Sequence, residues 1–303
     1  MPYKLQVAED LHAFEIFVMN KLILYARLVK FEHTIFAMPF ALIGFFMAVL
    51  VTDQVPFWKL LAEIIACMVF ARNAAMGFNR FLDRKFDAAN PRTAQREIPA
   101  GLVSAPKALA FVIINALLFG LVTYLINPLC FALSPVALFV ILGYSYTKRI
   151  TPLCHFVLSL GLSLAPIGAW LAVTGSFAVA PILFSGVVFF WVSGFDIIYA
   201  CQDVDFDQKY RLQSIPVLVG VRNALNISTV LHILTFVCVV LAGLTVEANW
   251  IFWVGSAIFG GLMVYQHLIV KADDLSRVNL AFGTTNGIAG VIFAAFVIIS
   301  LYH

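Results

Sequence analysis

Charge is what this sequence has least of. Of its 303 residues only 12% are Asp, Glu, Lys or Arg, against 62% hydrophobic, and the mean hydropathy is +0.98. Soluble domains run near 25% charged, so too few polar residues exist to wet an aqueous surface, and the apolar excess must face lipid. A formal net charge of +3 with no block of five like charges does not point to a nucleic-acid partner. The five cysteines, Cys67, Cys130, Cys154, Cys201 and Cys238, stand singly with no CxxC pair. That spacing supports neither a disulfide framework nor a zinc site. The opening stretch MPYKLQVAEDLHAFEIF has no basic segment followed by a short apolar core, so it does not read as a cleaved signal peptide. Nothing in the chain marks an obligate protein partner.

Long apolar runs are what the sequence has instead. A bilayer core of about 30 Å needs roughly 20 apolar residues in helix. Such windows fall near 34–52, 57–78, 106–126, 128–147, 154–174, 178–200, 223–245, 250–270 and 282–301. The expected fold is therefore all-α: a polytopic membrane protein with nine transmembrane helices in one bundle, a single domain over 1–303. The basic residues alternate with this count. Seventeen of the 19 fall before helix 1, between helices 2 and 3, between 4 and 5, after 6 and after 8. Lys59 and Arg72 lie within helix 2, and the opposite loops hold none. By the positive-inside rule the N-terminus is cytoplasmic and the C-terminus outside.

The polar residues that remain are concentrated. Helix 2 runs into NRFLDRKFDAANPRTAQREIPAG, which spaces Asn79, Asp83 and Asp87 four residues apart. Helix 6 runs into DIIYACQDVDFDQK, where Tyr199, Asp203 and Asp207 repeat that spacing, with Asp205 between. Residues four apart share a helical face, so each motif forms a carboxylate ladder at the cytoplasmic end. Facing carboxylates repel, and a hard cation between them reverses the sign. Mg²⁺ takes oxygen ligands, a few carboxylates together with substrate phosphates. The same loops supply Arg80, Arg84, Lys85, Arg92, Arg96, Lys148, Arg149, Lys209 and Arg211, and arginine forks match phosphate oxygens. Acid for a metal and base for a phosphate suit a metal–diphosphate. Carboxylates at membrane depth could instead form an ion path in a transporter, but such a path would lie in series near the midplane. The repeated spacing also suggests a pseudo-repeat of helices 1–4 and 5–8, with helix 9 closing the bundle.

Together these motifs resemble the UbiA superfamily of intramembrane prenyltransferases: the first matches its N-x-x-x-D-x-x-x-D pattern and following loop, the second its D-x-x-x-D pattern, and GYSYTKR its Tyr/Lys-rich segment after helix 4. The likeness spans nearly the whole chain and is greatest to the 4-hydroxybenzoate polyprenyltransferase-like enzymes of quinone biosynthesis. The resemblance implies that Asn79, Asp83, Asp87, Asp203 and Asp207 hold Mg²⁺ on the diphosphate of a polyprenyl donor and carry the catalysis. It implies that the basic residues, Lys148 the best matched, neutralise the leaving group; Arg80, Lys148, Lys209 and Tyr199 are the residues expected to bind substrate there. The implied reaction ionises the allylic diphosphate, and an electron-rich aromatic ring attacks the allylic cation inside a dry, aromatic-lined cavity. The implied location is the bacterial cytoplasmic (inner) membrane, with the active site facing the cytoplasm. Helix 1 opens with KFEHTIFAMPFA where many 4-hydroxybenzoate enzymes carry a K-P-I-G-like stretch, so a naphthoate of menaquinone synthesis stands as an alternative acceptor. The D-G-x-x-A-R opening of CDP-alcohol transferases is absent.

Arg72 and Asp196 are charges set deeper in the membrane, each seven residues before its motif. An intramembrane ion is a functional candidate with a partner to be named. The expectation is that the two face each other across the cavity, pairing directly or with Arg72 meeting an acceptor carboxylate. Glu32 and His33 stand at the mouth of helix 1 as possible proton acceptors. His155, His232 and His267 read as packing or interfacial residues.

Overall fold

The computed structural model describes residues 21, 23–30, 34 and 36–303; Glu32 and His33 lie outside them. The described chain is all-helical, with no strand among the described residues. In chain order the main helices are α1 (Met38–Leu50), α2 (Phe57–Ala89), α3 (Ala105–Ile126), α4 (Pro128–Thr147), α5 (Cys154–Thr174) and α6 (Val179–Ala200). They continue with α7 (Val221–Thr245), α8 (Trp250–Ile269) and α9 (Asn286–Leu301). Eight helical stretches are long and apolar enough to cross a membrane, while α1 is a shorter apolar helix of 13 residues. Large apolar side chains lie on the outside, Phe139 at 79% exposure and Leu117 at 69% among them. A soluble protein could not sustain such patches, and in lipid they are the solvated surface. The chain is an integral membrane protein.

Helix α6 is the axis of the bundle. Phe184, Trp191, Ile197 and Ile198 on it are almost wholly buried, and it packs extensively against α5 and α7. Helix α1 lies against α5 and α9, and α2 against α3. The α1–α5 approach is close because Gly44 faces Pro166: a Cβ at 44 would overlap the Pro166 carbonyl oxygen. Lipid offers backbone and polar groups no partners, so the polar residues of the core satisfy one another. Trp191 Nε1 and Gln266 Nε2 both donate to Asn286 Oδ1, at 3.0 and 2.7 Å. Asn286 Nδ2 donates onward to the Ala281 carbonyl, within the π-helical turn Leu280–Thr285 that leads into α9. One asparagine thus ties α6, α8 and α9.

His232 and His267, read from the sequence as packing or interfacial residues, bond to each other, with His232 Nδ1 2.8 Å from His267 Nε2. At the far end from the Asp motifs, turns are short and capped. Asn127 accepts from Cys130 N at 2.8 Å, and Asn249 accepts from Ile251 N at 3.0 Å. This leaves the long connections, 90–104, 148–153 and 201–220, to meet at the other end.

Candidate active site

Helix α2 is 33 residues long, about 50 Å at 1.5 Å per residue, and so runs well past the length a bilayer core requires. It continues without a break to Ala89, which holds Asn79, Asp83 and Asp87 on one face. Helix α6 behaves differently. It stops at Ala200, tightens into a 3₁₀ turn over Cys201–Asp203, and resumes as a short helix over Val204–Lys209. The second ladder therefore turns at Asp203 where the first runs straight.

Both ladders open onto one cavity of about 290 Å³. Asn79, Asp83, Asp87, Tyr199, Asp203 and Asp207 line it, with Arg72, Arg80, Lys148 and Asp196. Lys209, expected to bind substrate, is not among the lining residues: it is exposed, with Nζ 5.7 Å from the Tyr210 ring centroid. Helical periodicity places Lys209 near the motif but cannot say which side of a six-residue helix faces out.

Each motif carboxylate has a basic partner. Asp83 Oδ1 accepts from Arg149 Nη2 at 2.6 Å and its Oδ2 from Asn79 Nδ2 at 2.9 Å. Asp87 Oδ1 accepts from Arg96 Nη1 at 2.6 Å. Asp203 accepts from Arg92 through both oxygens, and Asp207 Oδ2 lies 2.9 Å from Lys148 Nζ. The partners cross between motifs: Arg92, on the loop after α2, holds a carboxylate of the second ladder. The loop itself is anchored where Thr93 Oγ1 donates to the Asp87 carbonyl at 3.1 Å. Burial opposes the charged forms of Arg92 and Lys148. Tyr199 and Asp203 outweigh it for Arg92, and Asp207 for Lys148, so both bases sit above their ordinary pKa values.

Two oxygens are left over. Asp87 Oδ2 and Asp207 Oδ1 are buried with no hydrogen-bond partner among the described residues. A buried bare carboxylate oxygen is costly, and an oxygen-seeking hard cation is the ligand that relieves it. No three His, Cys, Asp or Glu side chains converge as a ready cage among the described residues. That fits an ion whose coordination is completed by substrate phosphate and water. The donor set suits Mg²⁺. Buried Arg80, 4% exposed, has an Nε with no partner, a fixed donor for an anion.

Beneath the charged rim the lining turns aromatic. Tyr199, Phe282, Phe195 and Phe36 form a run of ring contacts, with Tyr199 and Phe282 centroids 4.1 Å apart and Phe195–Phe282 at 5.4 Å. Asp196 lies at this depth. Its Oδ2 is 2.6 Å from His155 Nδ1, and His155 Nε2 is 3.4 Å from the Ile215 backbone N–H. His155, read from the sequence as a packing or interfacial residue, is a buried cavity residue and the partner of Asp196. Arg72 lines the same cavity.

The model of the UbiA prenyltransferase family matches residues 37–298, which includes both ladders and the helices between them. The chain belongs to the UbiA prenyltransferase family. It is an enzyme of the prenyltransferase class. Among its relatives, a 4-hydroxybenzoate octaprenyltransferase of Aliivibrio fischeri is 30% identical over 254 residues, covering 84% of this chain and 88% of the relative. The apo structure of a UbiA homolog from Aeropyrum pernix K1 superposes with a TM-score of 0.79 at 30% identity, covering 89% of this chain and 98% of that one. A UbiA homolog from Archaeoglobus fulgidus, solved bound to GPP and Mg²⁺, shares the fold at a TM-score of 0.70 and 20% identity, covering 92% of this chain and 100% of that one.

Proposed function

We propose that this UbiA-family enzyme transfers a polyprenyl group from a polyprenyl diphosphate to 4-hydroxybenzoate or a related aromatic acid, in a Mg²⁺-dependent step of quinone biosynthesis. The observation that carries the reading is the convergence on one cavity of two carboxylate ladders, their basic partners and an aromatic wall. The name of the Aliivibrio relatives supports the acceptor class, and the ligands of the Archaeoglobus homolog support the donor and metal.

In this reading Asn79, Asp83, Asp87, Asp203 and Asp207 would hold the metal, and Asp87 and Asp207 each keep an unpartnered oxygen for it. When bound, the cation would neutralise the charge that develops on the departing diphosphate. Arg80 and Lys148 hold diphosphate oxygens, and Tyr199 fixes the rim. The Phe36, Phe195 and Phe282 rings exclude water from the allylic cation and turn their faces to it. Asp196, held in place by His155, meets the acceptor's hydroxyl, and Arg72 its carboxylate. The allylic carbon–oxygen bond breaks with its electron pair leaving on the diphosphate, the acceptor's ring carbon bonds to the allylic carbon, and the ring proton passes to the Asp196 carboxylate.

The chain is further read as one domain over 1–303, crossing the bacterial inner membrane nine times with the active site at the cytoplasmic face. The distribution of basic residues supports that orientation. The matched placement of the ladders on α2 and α6, each packed against the helix that follows it, supports the pseudo-repeat.

The test is prenyl transfer by purified protein in detergent, with labelled polyprenyl diphosphate and a panel of aromatic acids, with and without Mg²⁺. Metal-dependent product with 4-hydroxybenzoate upholds the proposal. Product with a naphthoate alone moves the enzyme to menaquinone synthesis, and substrate-coupled ion flux in vesicles without any product would return it to the transporter class.

A further inference from the structure

The four motif carboxylates are not equally open. Asp87 and Asp207 each keep one bare buried oxygen, whereas both oxygens of Asp83 and of Asp203 are taken. Asp83 shares its two between Asn79 and Arg149. Asp203 gives both to a single side chain. Arg92 Nη2 reaches Oδ1 at 2.9 Å and Oδ2 at 2.7 Å, and Nε reaches Oδ1 at 3.2 Å. Its Nη1 donates to the Tyr199 hydroxyl at 3.0 Å, so all three nitrogens of the guanidinium are engaged.

Arg92 also has a freedom that the buried Arg80 lacks. Arg80 is 4% exposed, whereas the Arg92 side chain is 37% exposed at the cavity mouth. Its backbone is pinned on both sides, by Arg92 N donating to Asn90 Oδ1 at 3.0 Å and by the neighbouring Thr93 hydroxyl on the Asp87 carbonyl. A pinned backbone with a half-exposed side chain is built for rotation of the fork and not for movement of the loop.

We propose that Arg92 is a positioning residue that couples cation binding to donor binding: it closes Asp203 until a prenyl diphosphate arrives, then turns its fork to the diphosphate and releases Asp203 to the cation. The inference rests on the function proposed above. A cation approaching Asp203 alone must displace a charge-assisted, bidentate partner. A diphosphate offers Arg92 an equally matched acceptor, so the two ligands together remove a cost that each alone must meet. Coupling of this kind is reciprocal and typically 5–150-fold. The site then does not fill with metal before the donor is in place.

The distinguishing sign is that losing Arg92 should strengthen one ligand and weaken the other. Mn²⁺ binding to the full-length protein in detergent, without donor, is read by the loss of the free-ion EPR signal. Binding of labelled geranyl diphosphate is read separately in chelator. We expect Arg92→Gln to tighten Mn²⁺ binding about tenfold and to weaken geranyl diphosphate binding about tenfold. Tyr199→Phe, which removes one of the Arg92 contacts without changing charge, should tighten Mn²⁺ binding less, about threefold, because the Asp203 contacts remain. Lys85→Gln removes an equal charge from an exposed position on α2 between Asp83 and Asp87, and should move Mn²⁺ affinity far less. If Arg92→Gln leaves Mn²⁺ affinity unchanged or lowers it, or if Lys85→Gln raises it equally, the coupling role is overturned. If Asp203→Asn binds Mn²⁺ as tightly as the unaltered protein with geranyl diphosphate present, the metal assignment itself has failed.

Discussion

Lys148 and Arg149 are consecutive residues at the end of α4 that hold carboxylates on different helices, Lys148 reaching Asp207 at 2.9 Å and Arg149 reaching Asp83 at 2.6 Å. The two ladders are thus joined through one turn of backbone. Arg149 is held further by the faces of Phe86 and Tyr146, at 5.2 and 5.6 Å to the ring centroids.

The burial of the acid decides which of these pairs matters more to stability. The Asp207 side chain is 1% exposed, whereas that of Asp83 is 28% exposed. Removing one partner of a buried pair strands a charge and costs several kcal/mol, while a half-exposed pair is worth much less. Lys148→Ala is therefore expected to destabilise by roughly 2 kcal/mol and Arg149→Ala by about 1 kcal/mol, although the Arg149 contact is shorter. Unfolding midpoints in a fixed detergent check the order, and a larger loss in Arg149→Ala would refute it.

On the proposed function, variants of the Asp196–His155 pair should separate acceptor chemistry from donor chemistry. Asp196→Asn and His155→Ala are expected to lower prenyl transfer by about a hundredfold, the scale of a lost general-base or orienting contact. Slow hydrolysis of the donor without acceptor should persist in both. His155→Asn, which keeps a donor facing Asp196, should recover part of the rate. Equal loss of hydrolysis and transfer would show that the pair serves the fold and not the acceptor.

Gly44 is a packing requirement. With the Pro166 carbonyl where a Cβ would lie, Gly44→Ala must push α1 from α5, and overpacking of this kind costs about 1–3 kcal/mol. Because α1 also packs on α9, the lower cavity should widen with it. Gly168→Ala on α5, where a Cβ meets nothing, is the matched control. Thermal midpoints of the two variants give the comparison, and equal midpoints would contradict the close approach.

Asn286 satisfies two donors at once. Asn286→Leu would leave Trp191 Nε1 and Gln266 Nε2 without their buried acceptor, a loss of about 1–3 kcal/mol for each group so stranded. Trp191→Phe in that background should restore part of the stability, because it removes one of the stranded donors. No recovery would mean that the network contributes less than its geometry suggests.

Much of this site could be read along the chain, and what escaped has physical reasons. The spacing of Asn79, Asp83 and Asp87 matches an unbroken helix, and α2 supplies one through Ala89. Identical spacing at Tyr199, Asp203 and Asp207 conceals a 3₁₀ turn, since periodicity measures separation and not winding. The loop bases were recognisable as a group, but which base meets which acid depends on the fold of 90–104 and 148–153. A lone histidine carries no spacing signal, so His155 emerged only when α5 set it against Asp196. The same holds for His232 and His267, 35 residues apart and 2.8 Å from each other.

The central claim is that the two ladders form one metal–diphosphate site, and locating the metal tests it most directly. The protein should be crystallised with Mn²⁺ and a non-reactive thiolodiphosphate analogue of the donor, and the ion found by its anomalous scattering. The expected result is Mn²⁺ at about 2.0–2.2 Å from carboxylate oxygens of both motifs, Asp87 and Asp207 included, with the diphosphate against Arg80 and Lys148. Anomalous density confined to one ladder, or a diphosphate seated away from both, would contradict the account.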